Sequence, residues 1–312
     1  MASAVAARPP VRAPRRGAGL HEREGRAGYV LVAPTTVLLA IFYLYPLAQT
    51  VVFSFTDWNP ASPEVPSAVG LDNYAALTDT GGFLSALGHT GLYVLVVVPV
   101  SMAVGLFLAA LLNTPFRGRS VYRALIFTPY IAPTVGSALI FTYLLTPLGG
   151  LVNSVVELFG ARPIAFLTTT PWAMVSVLVF SIWQQVGYMM VIYSAALSGI
   201  PSSYHEAATI DGAGAVRRFF SISLPLLAPT SGFLAITGIV GALQVFTQVY
   251  VLTGGGPLGS TSTVIHWIYQ QGFVFFNGGL ATAASVVLLL IGIAVTLVQL
   301  LVLNRRDTVE LS

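Results

Sequence analysis

Uncharged stretches dominate this chain and set its architecture. No Asp, Glu, Arg or Lys lies between Ala27 and Thr56, Thr80 and Phe116, Ala124 and Val156, Pro163 and His205, or Phe219 and Asn304. A helix needs about 20 apolar residues to cross a bilayer core. Each of the first four runs holds one such helix. The fifth is long enough for two, and the turn-forming Gly254-Gly255-Gly256-Pro257 lies where they would part. The pattern therefore predicts six spans, near 29–55, 89–113, 121–146, 171–198, 226–252 and 281–303. Long continuous runs predict helices, because a barrel would show alternating strands of about ten residues.

The intervals between runs carry their own signals. Pro60, Pro63 and Pro66 predict an extended start to a first outer loop over 57–88, with one or two short helices from Leu71 to Leu87. A second outer loop over 149–170 contains a short apolar helical pattern from Val152 to Phe159, suited to a membrane surface. The third, over 254–279, holds Trp267, Tyr269, Phe273, Phe275 and Phe276, which reads as an interfacial aromatic belt. Residues 1–27 are rich in Ala, Pro and Arg and lack periodicity, which predicts a disordered tail. A signal peptide is the rival reading, but the apolar run that follows is about twice the length of a signal core. The domain so delimited is 28–304, with a short tail over 305–312.

One polar island interrupts the apolar sequence, from 202 to 225. Ser203-x-x-Glu206 has the spacing of a capping box and predicts a helix from Tyr204 to Ile210. Asp211-Gly212-Ala213-Gly214 predicts a turn. A second helix over 215–223 would be stopped by Pro225. Two short helices at an angle make a knob that fits a surface cleft. On local chemistry alone, Glu206 as a cap and Arg217 and Arg218 as topology anchors are the favoured account of the segment.

Composition narrows the class. Charged residues make up 8% of the chain, hydrophobic ones 55%, and mean hydropathy is +0.82, outside the soluble range. Thirteen of the fourteen arginines fall before span one, between spans two and three, between four and five, or after six; Arg162 is the exception. That asymmetry places both termini and the polar island in the cytoplasm and explains the net charge of +3 without nucleic acid. The chain has no lysine, so it lacks the P-loop whose lysine reaches nucleotide phosphates. If transport uses ATP, with its Mg, another subunit must bind them, and no cofactor is expected in this chain. The absence of cysteine removes disulfides and thiolate metal sites.

Polar side chains within the spans are few and clustered. Ser181, Gln184, Gln185 and Tyr188 are spaced i, i+3, i+4 and i+7 in span four, hence on one helical face. Gln244, Thr247 and Gln248 repeat the i, i+3, i+4 spacing in span five. Amides and hydroxyls both donate and accept, which suits a neutral polyol or sugar. Trp183 and Phe246 nearby would cover the apolar face of a pyranose. The competing reading is that these amides knit helices together. No carboxylate is predicted at membrane depth, which disfavours proton-coupled transport.

The pattern Glu206-Ala207-Ala208, Gly212, Ile222, Leu224 and Pro225 resembles the EAA loop of binding-protein-dependent ABC importer permeases at every motif position. Gly70-Leu71-Asp72-Asn73-Tyr74, Thr128-Pro129-Tyr130 and Leu252-Thr253-Gly254-Gly255-Gly256-Pro257 are similar to the branch containing maltose-type and glycerol-3-phosphate-type permeases. The resemblance covers most of the chain. One departure is His89, where the family often has Asn.

It implies an all-α integral membrane protein of the type I ABC importer permease fold, multi-pass in the cytoplasmic membrane, with six transmembrane helices and cytoplasmic termini. It also implies a second homologous permease, two ATPase subunits and an extracytoplasmic solute-binding protein as partners. Glu206, Ala207, Ala208, Asp211, Gly212 and Ala213 would form the coupling surface, with Glu206 facing a basic residue of the ATPase. The span-four positions align with residues lining the sugar site in maltose-type permeases. The function implied is import of a sugar or oligosaccharide, without an enzymatic site of its own. An importer for glycerol-3-phosphate or glycerophosphodiesters is the alternative, since the Asp211–Phe220 stretch is similar to that branch. An ATP-independent channel or ion-coupled carrier is a further alternative. A membrane-bound enzyme has little support, because His21, His89, His205 and His266 are scattered.

Overall fold

The computed structural model describes residues 29, 31–79, 82–114 and 116–307. The tail expected over 1–27 lies outside them, as do residues 308–312 of the second tail. Compact packing divides the chain after Thr50. The N-terminal unit is built on helix α1, Leu31–Phe53, whose apolar side chains, such as Phe42 and Leu44, are exposed. Two of its hydroxyls are satisfied within the helix: those of Thr36 and Thr50 donate to the carbonyls of Val32 and Pro46 at 3.1 and 2.8 Å. A helix with outward apolar side chains and internally paired polar atoms meets the requirements of lipid.

The larger unit is also helical, and among the described residues its extended pairing is an isolated bridge between Thr56 and Ala68. It begins with α2 (Asp72–Asp79) and α3 (Gly82–Leu111), followed by α4 (Arg119–Ile131), α5 (Thr134–Leu144) and α6 (Leu151–Leu158). Next come α7 (Trp172–Ser198), α8 (Ser202–Ile210), α9 (Ala215–Leu226) and α10 (Ala228–Leu243). The last are α11 (Thr247–Leu252), α12 (Val264–Tyr269) and α13 (Gly278–Asp307).

Helix α7 is the central element, packed along α3 and α4, while α10 lies on α3 and α13. Phe180, Val177, Tyr93 and Val249 form one core, and Met189, Met190, Tyr193 and Leu234 another. Close approach between α4 and α7 is possible because residue 187 is glycine: a Cβ there would stand 2.3 Å from the Ile126 carbonyl oxygen. Small residues at helix contacts replace the hydrophobic driving force that lipid removes.

Four helices are long and apolar enough to cross a membrane, namely α1, α3, α7 and α13. Two further crossings follow if each bent pair, α4–α5 (97°) and α9–α10 (62°), counts as one span. The sequence predicted span three as a continuous helix over 121–146, and here the structure differs. Ala132 adopts an extended ψ of 143° ahead of Pro133, as sterics before proline favour, and the helix restarts at Thr134 in a new direction. Span two begins earlier than predicted, at Gly82, directly after the short α2.

Span five is likewise not one helix over 226–252. Helix α10 stops at Leu243, Phe246 leaves the helical region (φ −137°, ψ −60°), and α11 starts at Thr247. The break is sustained by a substitute partner: the Thr263 hydroxyl donates to the Val245 carbonyl at 3.0 Å. The expected aromatic belt also divides. Trp267 is buried against Phe83 at 5.4 Å, whereas Phe273, Phe275 and Phe276 are exposed.

Candidate functional site

Two features answer to the chemistry expected from sequence, a polar cavity in the helix core and an exposed helical handle. The cavity forms where the α10–α11 break opens beside α7. Its volume is about 200 Å³, and Gln185, Gln244, Thr247, Gln248, Tyr93 and Phe246 line it. The predicted face of span five does not exist as a helical stripe, since Gln244 lies in the break. The break nevertheless turns Gln244, Thr247 and Gln248 toward one space. A kinked backbone gathers them where a straight helix would have spaced them along one side.

The residues of span four separate. Gln185 lines the cavity, while Ser181 is buried and donates to the Val177 carbonyl one turn back at 2.7 Å. Gln184 is also buried; its amide donates to the Thr134 hydroxyl at 2.9 Å, and its carbonyl lies 3.5 Å from the Gln248 amide, at the limit of a hydrogen bond. Tyr188 stacks on Tyr130 of α4 at 4.9 Å. Thus Ser181 and Tyr188 hold helices, Gln184 bridges α5 to the cavity wall, and Gln185 faces the cavity. Of the two flanking aromatics, Phe246 lines the space and Trp183 packs on Phe141 at 4.9 Å.

Sequence reasoning missed Tyr93 and Thr134. Tyr93 sits in an apolar stretch of span two and carries no local mark. Thr134 is the first residue of α5, and the signal that could have found it is Pro133, which disfavours a helical Ala132 and so puts a boundary in span three.

The handle consists of α8, a tight turn and α9. Helix α8 begins at Ser202, with Pro201 in the capping position (φ −57°, ψ 135°) and no side-chain cap. The predicted capping box is therefore absent: Ser203 already lies inside the helix, because the preset φ of Pro201 starts it earlier. That frees the exposed Glu206 from a capping role. The turn is a Schellman motif, with Ala213 N–H donating to Ala208 O at 2.9 Å and Gly212 N–H to Thr209 O at 3.0 Å. Gly212 takes φ +75°, a left-handed conformation in which a side chain would strain the backbone.

Helix α9 runs through Pro225 and does not stop before it. Leu224 N–H closes onto Phe219 O, a wide π turn that spares the proline ring the usual clash. Arg218 donates to the Thr209 hydroxyl at 2.6 Å, and Thr209 donates to the His205 carbonyl at 2.7 Å. This chain fixes α9 against α8. Glu206, Ala207, Asp211 and Gly212 are exposed, and Ala208 and Ala213 are half-buried at the turn. The handle is exposed and leads into α10 through the 62° bend.

Comparison with known proteins identifies the family and the fold. Residues 101–307 match the family model described as binding-protein-dependent transport system inner membrane component. The sulfoquinovosyl glycerol transport system permease protein SmoG of Agrobacterium fabrum is 34% identical over 89% of this chain and 90% of its own. The sn-glycerol-3-phosphate transport system permease protein UgpA of Salmonella typhimurium is 37% identical over 87% of this chain and 92% of its own. A chain in the crystal structure of a bacterial alginate ABC transporter, bound to an alginate pentasaccharide-bound periplasmic protein, superposes with a TM-score of 0.81. That match covers 90% of this chain and 95% of the other at 21% identity, and shows a shared fold.

Proposed function

The chain belongs to the family of binding-protein-dependent transport system inner membrane components, and on that premise we propose that it is the pathway-forming permease of an ABC importer for a polyhydroxylated solute. The observation that carries the substrate class is the uncharged cavity at the α10–α11 break. Gln185, Gln244, Thr247 and Gln248 offer both donors and acceptors there, with Phe246 and Tyr93 as apolar faces. The relatives that transport sulfoquinovosyl glycerol and sn-glycerol-3-phosphate support a glycerol-linked solute. The cavity volume falls below the roughly 300–1,000 Å³ of complete ligand pockets. It is one wall of a pathway whose other wall comes from a second, homologous permease.

In this reading the handle faces the cytoplasm, as the arginine distribution requires. One ATPase subunit docks on it, with Glu206 toward a basic side chain. A movement of the ATPases then turns α8 and α9 as a body, held by the Arg218–Thr209 link, and reaches the cavity through α10. A solute-binding protein delivers substrate at the opposite face.

Stimulated ATPase activity of the reconstituted complex tests the substrate class. Glycerophosphodiesters and glycosyl glycerols are compared with oligosaccharides, each presented on the cognate binding protein. Stimulation by glycerol-linked solutes is expected. Stimulation by oligosaccharides alone contradicts the glycerol-linked class, and stimulation by neither group contradicts the polyhydroxylated one.

A further inference from the structure

His89, which departs from the family's usual Asn, lines a second recess that shares no lining residue with the cavity. This recess measures about 440 Å³ and lies between the start of α3, the 258–262 loop and α12. Gly82, Ser85, His89, Ser262, Trp267 and Gln270 line it. In the orientation read from the arginines, this is the outer end of the helices. Its walls are held from behind. The Thr90 hydroxyl accepts from the Val264 N–H at 2.9 Å, and the Thr261 hydroxyl donates to the Gly256 carbonyl at 2.9 Å.

Trp267 is 6% exposed and packs edge-on against Phe83 at 5.4 Å, yet its indole N–H has no acceptor among the described residues. The nitrogen is not sealed, because residue 82 is glycine: a Cβ there would stand 3.0 Å from Nε1, in the approach to the donor. Indole can only donate, and leaving a buried N–H without an acceptor is costly. His89 offers the opposite polarity. Its Nδ1 lies 3.0 Å from the Ser262 carbonyl oxygen, which can only accept, so Nδ1 carries the proton and Nε2 of the neutral ring is an acceptor. The Gln270 amide adds both a donor and an acceptor. No Asp, Glu, Arg or Lys lines the recess, so an anion would meet no fixed charge there. Hydroxyl groups, which donate and accept at one atom, match this lining. The volume lies within the roughly 300–1,000 Å³ of small-molecule pockets.

We propose that this recess is an outer binding site for the hydroxyl groups of a neutral polyol, separate from the cavity. The ligand chemistry rests on Trp267, His89 and Gln270 themselves; identifying the polyol with the transported solute rests on the importer reading given above. Ser262 lines the recess, and Thr263, the next residue, donates to the carbonyl of Val245 in the cavity wall. Recess and cavity thus meet on one short segment, which suits a holding site at the mouth of a pathway.

The test observes the indole directly. The full chain, isotope-labelled at its tryptophan nitrogens, is placed in phosphatidylcholine nanodiscs without ATPase or binding protein and titrated with glucosylglycerol. The Trp267 indole signal in the proton–nitrogen NMR spectrum, assigned by its loss in Trp267→Phe, is expected to move and saturate. Gly82→Ala sets a methyl group before Nε1, and Gln270→Leu removes the amide. Each should raise the half-saturating concentration about fivefold, as loss of one hydrogen bond implies. A Trp267 signal that does not respond to millimolar glucosylglycerol leaves the recess to water and overturns the proposal. Equal titration of the parent and both variants places binding elsewhere and also overturns it. So does an equal response to cyclohexanol, which lacks the polyol pattern. A response only to added solute-free binding protein would make the recess a protein socket and overturn it too. The readout needs neither ATP nor transport. A saturable titration by a chain whose complex imports no polyol would refute the importer reading and leave this site standing; the reverse result removes the site alone.

Discussion

Replacing Gly187 by alanine probes the seam on which the cavity geometry depends. The new Cβ would lie 2.3 Å from the Ile126 carbonyl oxygen, 2.8 Å from the Phe127 Cα and 3.1 Å from the Ile126 carbonyl carbon. A carbon meets a carbonyl oxygen comfortably at about 3.3 Å, so α4 must withdraw from α7 by about 1 Å. Backbone atoms form the obstacle, and no rotamer change relieves them. Overpacking of this kind costs about 1–3 kcal/mol, against which alanine returns about 0.5–1 kcal/mol of helix preference. A net loss of about 1–2 kcal/mol is expected. The same withdrawal would disturb the Tyr130–Tyr188 stack and the Gln184–Thr134 bond. Equilibrium unfolding in mixed micelles, followed by tryptophan fluorescence, measures the loss. Gly136→Ala on α5 is the control, since beyond its chain neighbours and its own helix backbone no atom lies within 4 Å of the methyl it would introduce. It should be neutral or slightly stabilising. If Gly187→Ala unfolds at the same denaturant concentration as the parent, the close α4–α7 approach is not a feature of the folded protein.

The cavity and the handle yield two more expectations. Gln185→Leu should weaken solute uptake several-fold while Ser181→Ala has a smaller effect, because Gln185 faces the cavity and Ser181 reaches it only through the Tyr93 hydroxyl; transport kinetics in vesicles decide, and equal effects would count against the assignment. Arg218→Gln should loosen α9 from α8 at a stability cost under about 1 kcal/mol, as expected for an exposed contact. It should nevertheless lower the uptake obtained per ATP hydrolysed; an unaltered ratio would show that the Arg218–Thr209 link does not carry movement.

Most of the helical plan was legible because lipid demands it. Long uncharged runs over 82–111, 172–198 and 278–301 are helices for the reason their composition gave: backbone groups in a bilayer must pair internally. The breaks were less readable. Pro99 and Pro129 lie inside helices, whereas at Pro133 the chain turns by 97°, so proline alone does not announce which outcome follows. What distinguishes them is the tertiary partner available to the freed backbone groups. The break after Leu243 depends in this way on Thr263, eighteen residues beyond the carbonyl it serves, a contact no local window contains.

The site was legible in the same uneven measure. Spacing correctly brought Gln244, Thr247 and Gln248 into one polar group, although through a broken helix and not along a continuous face. Spacing on α7 overreached, because a face about four residues wide looks toward three different neighbours. Gln185 reaches the cavity, Gln184 reaches α5 and Tyr188 reaches α4. In the handle, the turn at Gly212 followed from its residue types, while the capping box lost to the fixed backbone angle of Pro201.

The most direct test of the central claim is simultaneous measurement of ATP hydrolysis and solute accumulation in sealed vesicles containing the complete complex. Glu206→Ala removes one of the two exposed carboxylates of the handle, and Gly212→Val forces a β-branched side chain into a conformation with φ +75°, at about 1–2 kcal/mol of strain. Both variants should insert into the membrane and leave the ATPases able to hydrolyse ATP, yet accumulation should collapse. Undiminished uphill accumulation in both variants, or by this chain with no ATPase present, would contradict the account.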